Sequence, residues 1–342
     1  MKIRTRGEQI RRFIIENVEK HSKDIARLTV DKFSISRQAV SRHLNNLIEE
    51  GIISAQGSTR NRKYLLRVLE KWEKTYQILP NLAEDVIWRK DVAPSLSDFS
   101  ENIMDIWQYG FTEMLNNAID HSGGTLIYVR LRKTAAGTEI VISDNGIGIF
   151  KKIQNELGLI DERHAILELA KGKLTTDPEH HTGEGIFFTS RMVDGFEILS
   201  GGTYFLHEFG EQEDWILERD KFLSGTTVWM RLNNHSSRTR AEIFEQFTSS
   251  EDFGFTKTVV PVKLAQYGDD KLVSRSQAKR LLERVDRFKI VILDFKNVES
   301  IGQAFADEIF RVFRKNHPEV ELFETNANVP VSQMIQRTRA ER

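Results

Sequence analysis

Residues 110–124 read GFTEMLNNAIDHSGG. The stretch has the look of a helix, yet Glu113, Asn116, Asn117, Asp120 and His121 fall within nine positions of it. Asparagine and aspartate compete for nearby backbone groups and are mediocre helix formers, so their crowding needs a reason. On a helix Glu113 and Asn117 lie four apart and share a face, with Asp120 and His121 on or near it. A carboxylate and an amide carbonyl aimed into one groove suit a general base and an oxygen ligand for magnesium. Alone, such a face reads more simply as solvated surface, so the decision lies downstream.

Three further stretches bear on it. In IVISDNGIGI (140–149) Asp144 closes a β-branched strand, and Gly146 and Gly148 supply backbone freedom where a ligand approaches. Asp-Asn-Gly is also a hairpin signal, but the following FKKIQNELGL is no partner strand. A buried carboxylate there can accept a hydrogen bond from an exocyclic amine such as that of adenine. Next, KGKLTTDPEHHTGEGIFFTSRMVD (171–194) ends a polar segment in Gly183 and Gly185 and runs into a helix, the arrangement that offers free N–H groups to phosphate oxygens. His180 and His181 stand near Asp177 and Glu179, but adjacent histidines rarely point the same way, and a lid is the expectation over a metal site. Last, SGTTVWM (224–230) sets Gly225 and Thr226 at the start of a strand, where a threonine hydroxyl can support the purine-reading aspartate.

In this order the four pieces resemble the nucleotide-binding boxes of the ATPase superfamily of gyrase, heat-shock chaperones, histidine kinases and mismatch-repair proteins, over roughly residues 100–235. The resemblance implies a Bergerat-type α/β sandwich that takes ATP and Mg2+. It implies Glu113 as general base, Asn117 as magnesium ligand and Asp144 as adenine-reading carboxylate. Gly146, Gly148, Gly183 and Gly185 become flexible backbone around the nucleotide, and Thr226 joins Asp144 through a water. No G-x-x-x-x-G-K run is present, which excludes a P-loop as the ATP site.

At 342 residues the chain is long enough for two or three domains. Its 39% hydrophobic and 29% charged content, with no long apolar run or leader-like N-terminus, predict a soluble protein with no membrane partner. The absence of cysteine excludes disulfides, thiolate zinc sites and cysteine nucleophiles, and fits a cytoplasmic location. The net charge of -1 hides an asymmetry: residues 1–66 hold 14 Lys+Arg against 7 Asp+Glu, leaving 35 against 43 elsewhere. A basic end on an acidic remainder suggests a nucleic-acid-binding module.

That end spaces Ile10, Phe13, Ile14 and Val18 for a first helix, and Ile25, Leu28 and Phe33 for a second opened by Ser22. A third follows, capped by Ser36 and closed by Gly51, with Val40, Leu44, Leu47 and Ile48 inward. IISAQGSTRNRKYLL then reads as two short strands around a basic tip: a winged helix-turn-helix. Arg37, Gln38, Ser41 and Arg42 face outward with chemistry for base edges and phosphates, and Arg60, Arg62 and Lys63 of the wing would meet the DNA backbone. Small three-helix modules also serve protein contacts. ISRQAVSRHLNNLIEEGII is similar to the recognition helix of bacterial winged-helix regulators, which favours DNA.

Residues 67–97 read as a linker, helical over RVLEKWEKTYQIL and then proline-bearing. Five strand candidates with helices between them make 98–240 a helix-on-mixed-sheet sandwich. Residues 255–338 alternate strand, helix, strand, helix, strand, a small α/β domain with a parallel pair, and 327–342 read as a frayed tail. VILDFKNVESIGQAFADEIFRVF resembles the STAS-like domains related to anti-sigma factor antagonists. Aligned on VESIG, Ser300 takes the place of their phosphorylated serine, although Ile301 replaces the usual second small residue and a plain helix cap also explains a serine there.

The expectation is thus a multidomain α/β regulator: winged helix (1–66), linker (67–97), ATP-binding sandwich (98–240) and STAS-like domain (255–338). ATP with magnesium would close the lid around 171–185 and shift the other domains. A histidine kinase would carry a phosphoacceptor helix pair ahead of the ATPase, and here the basic module occupies that span. A serine kinase acting on its own or a partner's STAS-type domain, and a slow ATPase clamp, stay open, as does a homodimer.

Overall fold

The computed structural model describes residues 5–58, 61–174, 183–210, 214–248, 254–266 and 270–340, with backbone alone over 214–223. The chain divides into two compact units, one of residues 1–74, 130–140 and 232–236, the other of 75–129, 141–231 and 237–342.

In the first unit α1 (Arg6–Asn17), α2 (Ile25–Phe33) and α3 (Arg37–Glu49) precede an antiparallel hairpin of β1 (Ile53–Gln56) and β2 (Lys63–Leu66). Thr5 and Glu8 form a reciprocal capping box on α1, and Ser36 Oγ accepts from Ala39 N–H at 3.2 Å on α3. The cap of α2 is Asp24 rather than Ser22, and it makes no side-chain cap bond. Ile10, Ile14, Val18, Ile25, Val40, Leu44, Leu47 and Ile53 form one core, against which Ala135 and Ala136 also pack.

The larger sheet has strand order β3-β4-β5-β7-β6, with β3 (Glu70–Gln77), β4 (Leu126–Lys133), β5 (Gly137–Asp144), β6 (Gly195–Glu208) and β7 (Asp214–Asn233). It is antiparallel, not mixed. Leu69 N–H donates to Lys133 O while Ile78 N–H donates to Thr125 O, and Ser143 and Thr227 hydroxyls meet at 2.7 Å while Asn234 N–H donates to Ala136 O. The segment read as a helical linker therefore begins with an edge strand. Helical turns at 84–96, including a π-helical turn at Trp88–Val92, follow it.

The long helix α4 (Glu101–His121) buries Ile103, Ile106, Trp107, Phe111, Met114, Leu115 and Ala118. Their spacing of three and four makes one apolar face, and each large side chain so buried contributes about 2 kcal/mol. Helices α5 (Ile149–Leu157), α6 (Glu162–Lys171) and α7 (Gly185–Met192) complete this layer, and α8 (Arg240–Phe247) packs on α4 and α7.

The C-terminal region holds a parallel sheet of order β10-β9-β8, made of β8 (Lys257–Pro261), β9 (Ile290–Asp294) and β10 (Glu321–Thr325). Helix α9 (Arg275–Leu282) joins the first two strands, and α10 (Gln303–Asp307), running on as a π-helical segment (Glu308–Phe313), joins the next. The span expected to fray is instead α11 (Val329–Ala340), which buries Val331, Ile335 and Thr338.

Candidate nucleotide site

One cavity of about 300 Å³ lies between α4, α5, the ends of α6 and α7, and strands β5 and β7. Glu113, Asn117, Asp144, Gly183, Gly185 and Thr226 all line it. Helix α4 delivers the first two one turn apart, and Met114 and Ala118 of its buried face line the cavity beside them.

Asp144 ends β5 and is 8% exposed. Its Oδ1 accepts from Gly146 N–H at 2.8 Å and Thr226 N–H at 3.2 Å. Burial raises its carboxyl above the ordinary value, and these two donors oppose the rise without cancelling it. Thr226 thus touches the aspartate directly through its backbone, and its hydroxyl accepts from Ile149 N–H at 2.9 Å at the start of α5. Gly225 has φ +78°, and a β-carbon there would overlap the Asp144 carbonyl. Asn145 is structural: its Oδ1 accepts from Thr125 and Leu126 N–H at 2.8 and 3.0 Å, tying the start of β4 to the end of β5.

Gly146 and Gly148 do not line the cavity; they turn the chain from Asp144 into α5, for which Gly148 is the N-cap. Gly185 opens α7, and a β-carbon on it would overlap Glu113 Oε2. The carboxylate therefore reaches a helix N-terminus only because residue 185 has no side chain. Glu184, beside it, is raised by burial against the pull of Lys173, and half-buried Tyr109 is raised by burial and by Glu113 and Glu184.

Asn116 and His121 of the opening stretch line the cavity too, and Lys152, Leu169, Leu174 and Phe187 do so without having stood out in the sequence. Lys152 Nζ donates to His121 O at 3.1 Å and sets a cation at the wall. Amphipathic FKKIQNEL was its only signal. Leu174 N–H donates to Gly183 O at 3.2 Å; Asp177, Glu179, His180 and His181 lie outside the described residues.

The other singled-out residues lie elsewhere. Arg37, Gln38, Ser41 and Arg42 are exposed on α3, Arg62 and Lys63 are exposed at the hairpin, and Arg60 lies outside the described residues. Ser300 is exposed between β9 and α10, and the cap of α10 is Gly302, so the capping explanation for this serine fails.

A five-stranded antiparallel sheet under helices, with this cavity between them, defines the fold of the gyrase- and chaperone-type ATPases. Residues 106–236 match the family model described as histidine kinase-, DNA gyrase B-, and HSP90-like ATPase, and residues 277–331 match a STAS-like domain of unknown function. The chain thus carries a GHKL-type ATPase domain, which supports ATP binding, and a STAS-like domain. Among curated proteins there is no match. The residues fit a magnesium nucleotide: the cavity reaches the size of a small-ligand site, Asp144 offers a buried acceptor, and Glu113 and Asn117 offer hard oxygens. Among the described residues no helix is long and apolar enough to cross a membrane.

Proposed function

We propose that this chain is a cytoplasmic, ATP-binding and DNA-binding transcriptional regulator in which magnesium-ATP binding or hydrolysis changes the state read by its other domains. The observation that carries the nucleotide part is the buried Asp144 carboxylate, held by two backbone donors at the wall of a cavity that also contains Glu113 and Asn117. Asp144 accepts from the exocyclic amine of the adenine. Asn117 supplies an oxygen to Mg2+, whose contribution when bound is to neutralise phosphate charge. Glu113 takes a proton from water or a hydroxyl, and the backbone of Gly183 and Gly185 leaves room for phosphates. Calorimetry with ATP and magnesium tests the reading: heat of association in the parent and none in Asp144→Asn is expected, and equal heats would overturn it.

The DNA part rests on the helix order, the hairpin, the exposed Arg37, Gln38, Ser41 and Arg42, and the excess of basic residues before position 67. It reads the first unit as a winged helix. A second reading is favoured by Ser300, whose exposed hydroxyl follows a strand and caps nothing: Glu113 would then activate that serine, or one on a partner bound through the STAS-like domain, for phosphorylation.

A further inference from the structure

One wall of the cavity is made by Leu169, Leu174 and Phe187, and the Phe187 ring packs on Phe255 ahead of β8. Lys171, the last residue of α6, is 1% exposed. Its ammonium donates to Glu168 Oε1 at 2.6 Å, to Glu283 O at 2.7 Å and to Arg280 O at 3.1 Å. The last two are carbonyls at the end of α9, which need partners and attract a cation. Its own carbonyl accepts from Thr258 Oγ1 of β8 at 2.7 Å, and that threonine is fully buried.

The next two residues are fastened as well. Gly172 lies between rings, so that a β-carbon on it would fall 2.7 Å from Phe255 Cε1 and 2.9 Å from Phe187 Cδ2. Those rings stand 4.6 Å apart between centroids. Lys173 Nζ donates to Arg287 O at 3.1 Å, and Arg287 Nη1 returns a bond to Lys173 O at 3.2 Å.

His164, Glu168 and Glu283 present ligand atoms within 4.8 Å of one another, a spacing that suits a metal ion. Lys171 and Arg284 already neutralise both carboxylates, Arg284 lying 3.3 Å from Glu168 and 2.9 Å from Glu283, so a divalent cation would meet two positive charges. Buried ion pairs stabilise little compared with apolar packing, and their best-attested use is to fix one arrangement. Here the fixed feature is the path of residues 171–173 into the cavity wall.

We propose that the C-terminal α/β domain, STAS-like over residues 277–331, is a positioning element of the ATP pocket: through Thr258, the α9 carbonyls and Arg287 it sets the wall formed by Leu169, Leu174 and Phe187. Nucleotide affinity therefore depends on the C-terminal domain. By reciprocity, anything that binds that domain and shifts the junction senses nucleotide occupancy by the same factor. The inference rests on the ATP reading above.

The test compares Thr258→Val with Thr258→Ser in the full chain, by calorimetry with magnesium-ATP, thermal unfolding without nucleotide, and hydrogen exchange over residues 162–174. Valine keeps the shape and loses the hydroxyl; serine keeps the hydroxyl and loses a methyl. Thr258→Val is expected to weaken ATP binding about fivefold and to speed exchange, the effect of one lost buried hydrogen bond. Thr258→Ser is expected to keep the parent affinity even where its melting temperature falls. Parent-like affinity in Thr258→Val, or equal weakening in both variants, overturns the proposal. A parent chain that binds no ATP would remove the nucleotide reading instead, and unchanged exchange in Thr258→Val would then refute the positioning by itself.

Discussion

Glu113 and Asp144 face the same cavity with opposite demands. Asp144 is held partly against its charge, because burial raises its carboxyl by more than the hydrogen bonds from Gly146, Thr226 and its own backbone lower it. A carboxyl raised on folding contributes stability that is complete at pH below its unfolded value and lost as pH rises through its folded value. Asp144→Asn is therefore expected to melt about 2 °C above the nucleotide-free parent at neutral pH. The gap should close as the solution is acidified through the folded-state pKa, and thermal scans across pH 3 to 8 would show it; a variant less stable than the parent throughout contradicts the assignment. Glu113→Gln keeps the shape and hydrogen-bonding capacity of the site but removes the base. It should bind magnesium-ATP and lose at least about 100-fold in phosphate release or in phosphate added to Ser300, whichever the parent performs, read by phosphate assay and intact mass. Both residues were legible in the sequence, since a carboxylate after a β-branched strand and an E-x-x-x-N pair on a helix are local patterns. Lys171 was not: in sequence a buried lysine is indistinguishable from a surface one, and only its partners more than a hundred positions away distinguish it.

At the scale of elements, α3 was readable from Ser36, Gly51 and its apolar spacing, whereas β3 was not. Trp72 and Tyr76 are four apart, a separation common to one face of a helix and one face of a strand, and the Glu and Lys between them favour a helix. Pairing with β4 decides the matter, and pairing is not a local property. Helix α11 hid similarly, with Val331 and Ile335 diluted among polar residues. The join of α7 to α4 carries a sharper expectation. Gly185→Ala places a methyl where the Glu113 carboxylate lies, so either α7 or the carboxylate must move. Destabilisation of about 1 to 3 kcal/mol is expected with loss of nucleotide binding, measured by denaturant melts and calorimetry; an alanine variant with parent affinity would show that the first turn of α7 is not fixed.

For the whole molecule, the basic N-terminal unit and the ATPase domain make sense together if nucleotide state alters DNA occupancy. Such coupling requires ATP to favour one state over another. Fluorescence anisotropy with mixed-sequence duplex DNA should give different affinities for the nucleotide-free, ADP and magnesium-ATP forms, each falling steeply with salt. Arg37→Ala with Arg42→Ala should weaken all three; identical affinities across the nucleotide forms would leave two functions on one chain with no link. The connection between β2 and β3, three residues long, has a practical corollary for anyone dissecting the molecule. The segment recognisable by family likeness begins at residue 106, yet the sheet begins at Glu70. Trimming to the recognisable boundary would strip the outermost strand and bare the amide edge of β4, inviting strand-to-strand aggregation of the excised piece. A sound fragment starts upstream of the tryptophan at 72.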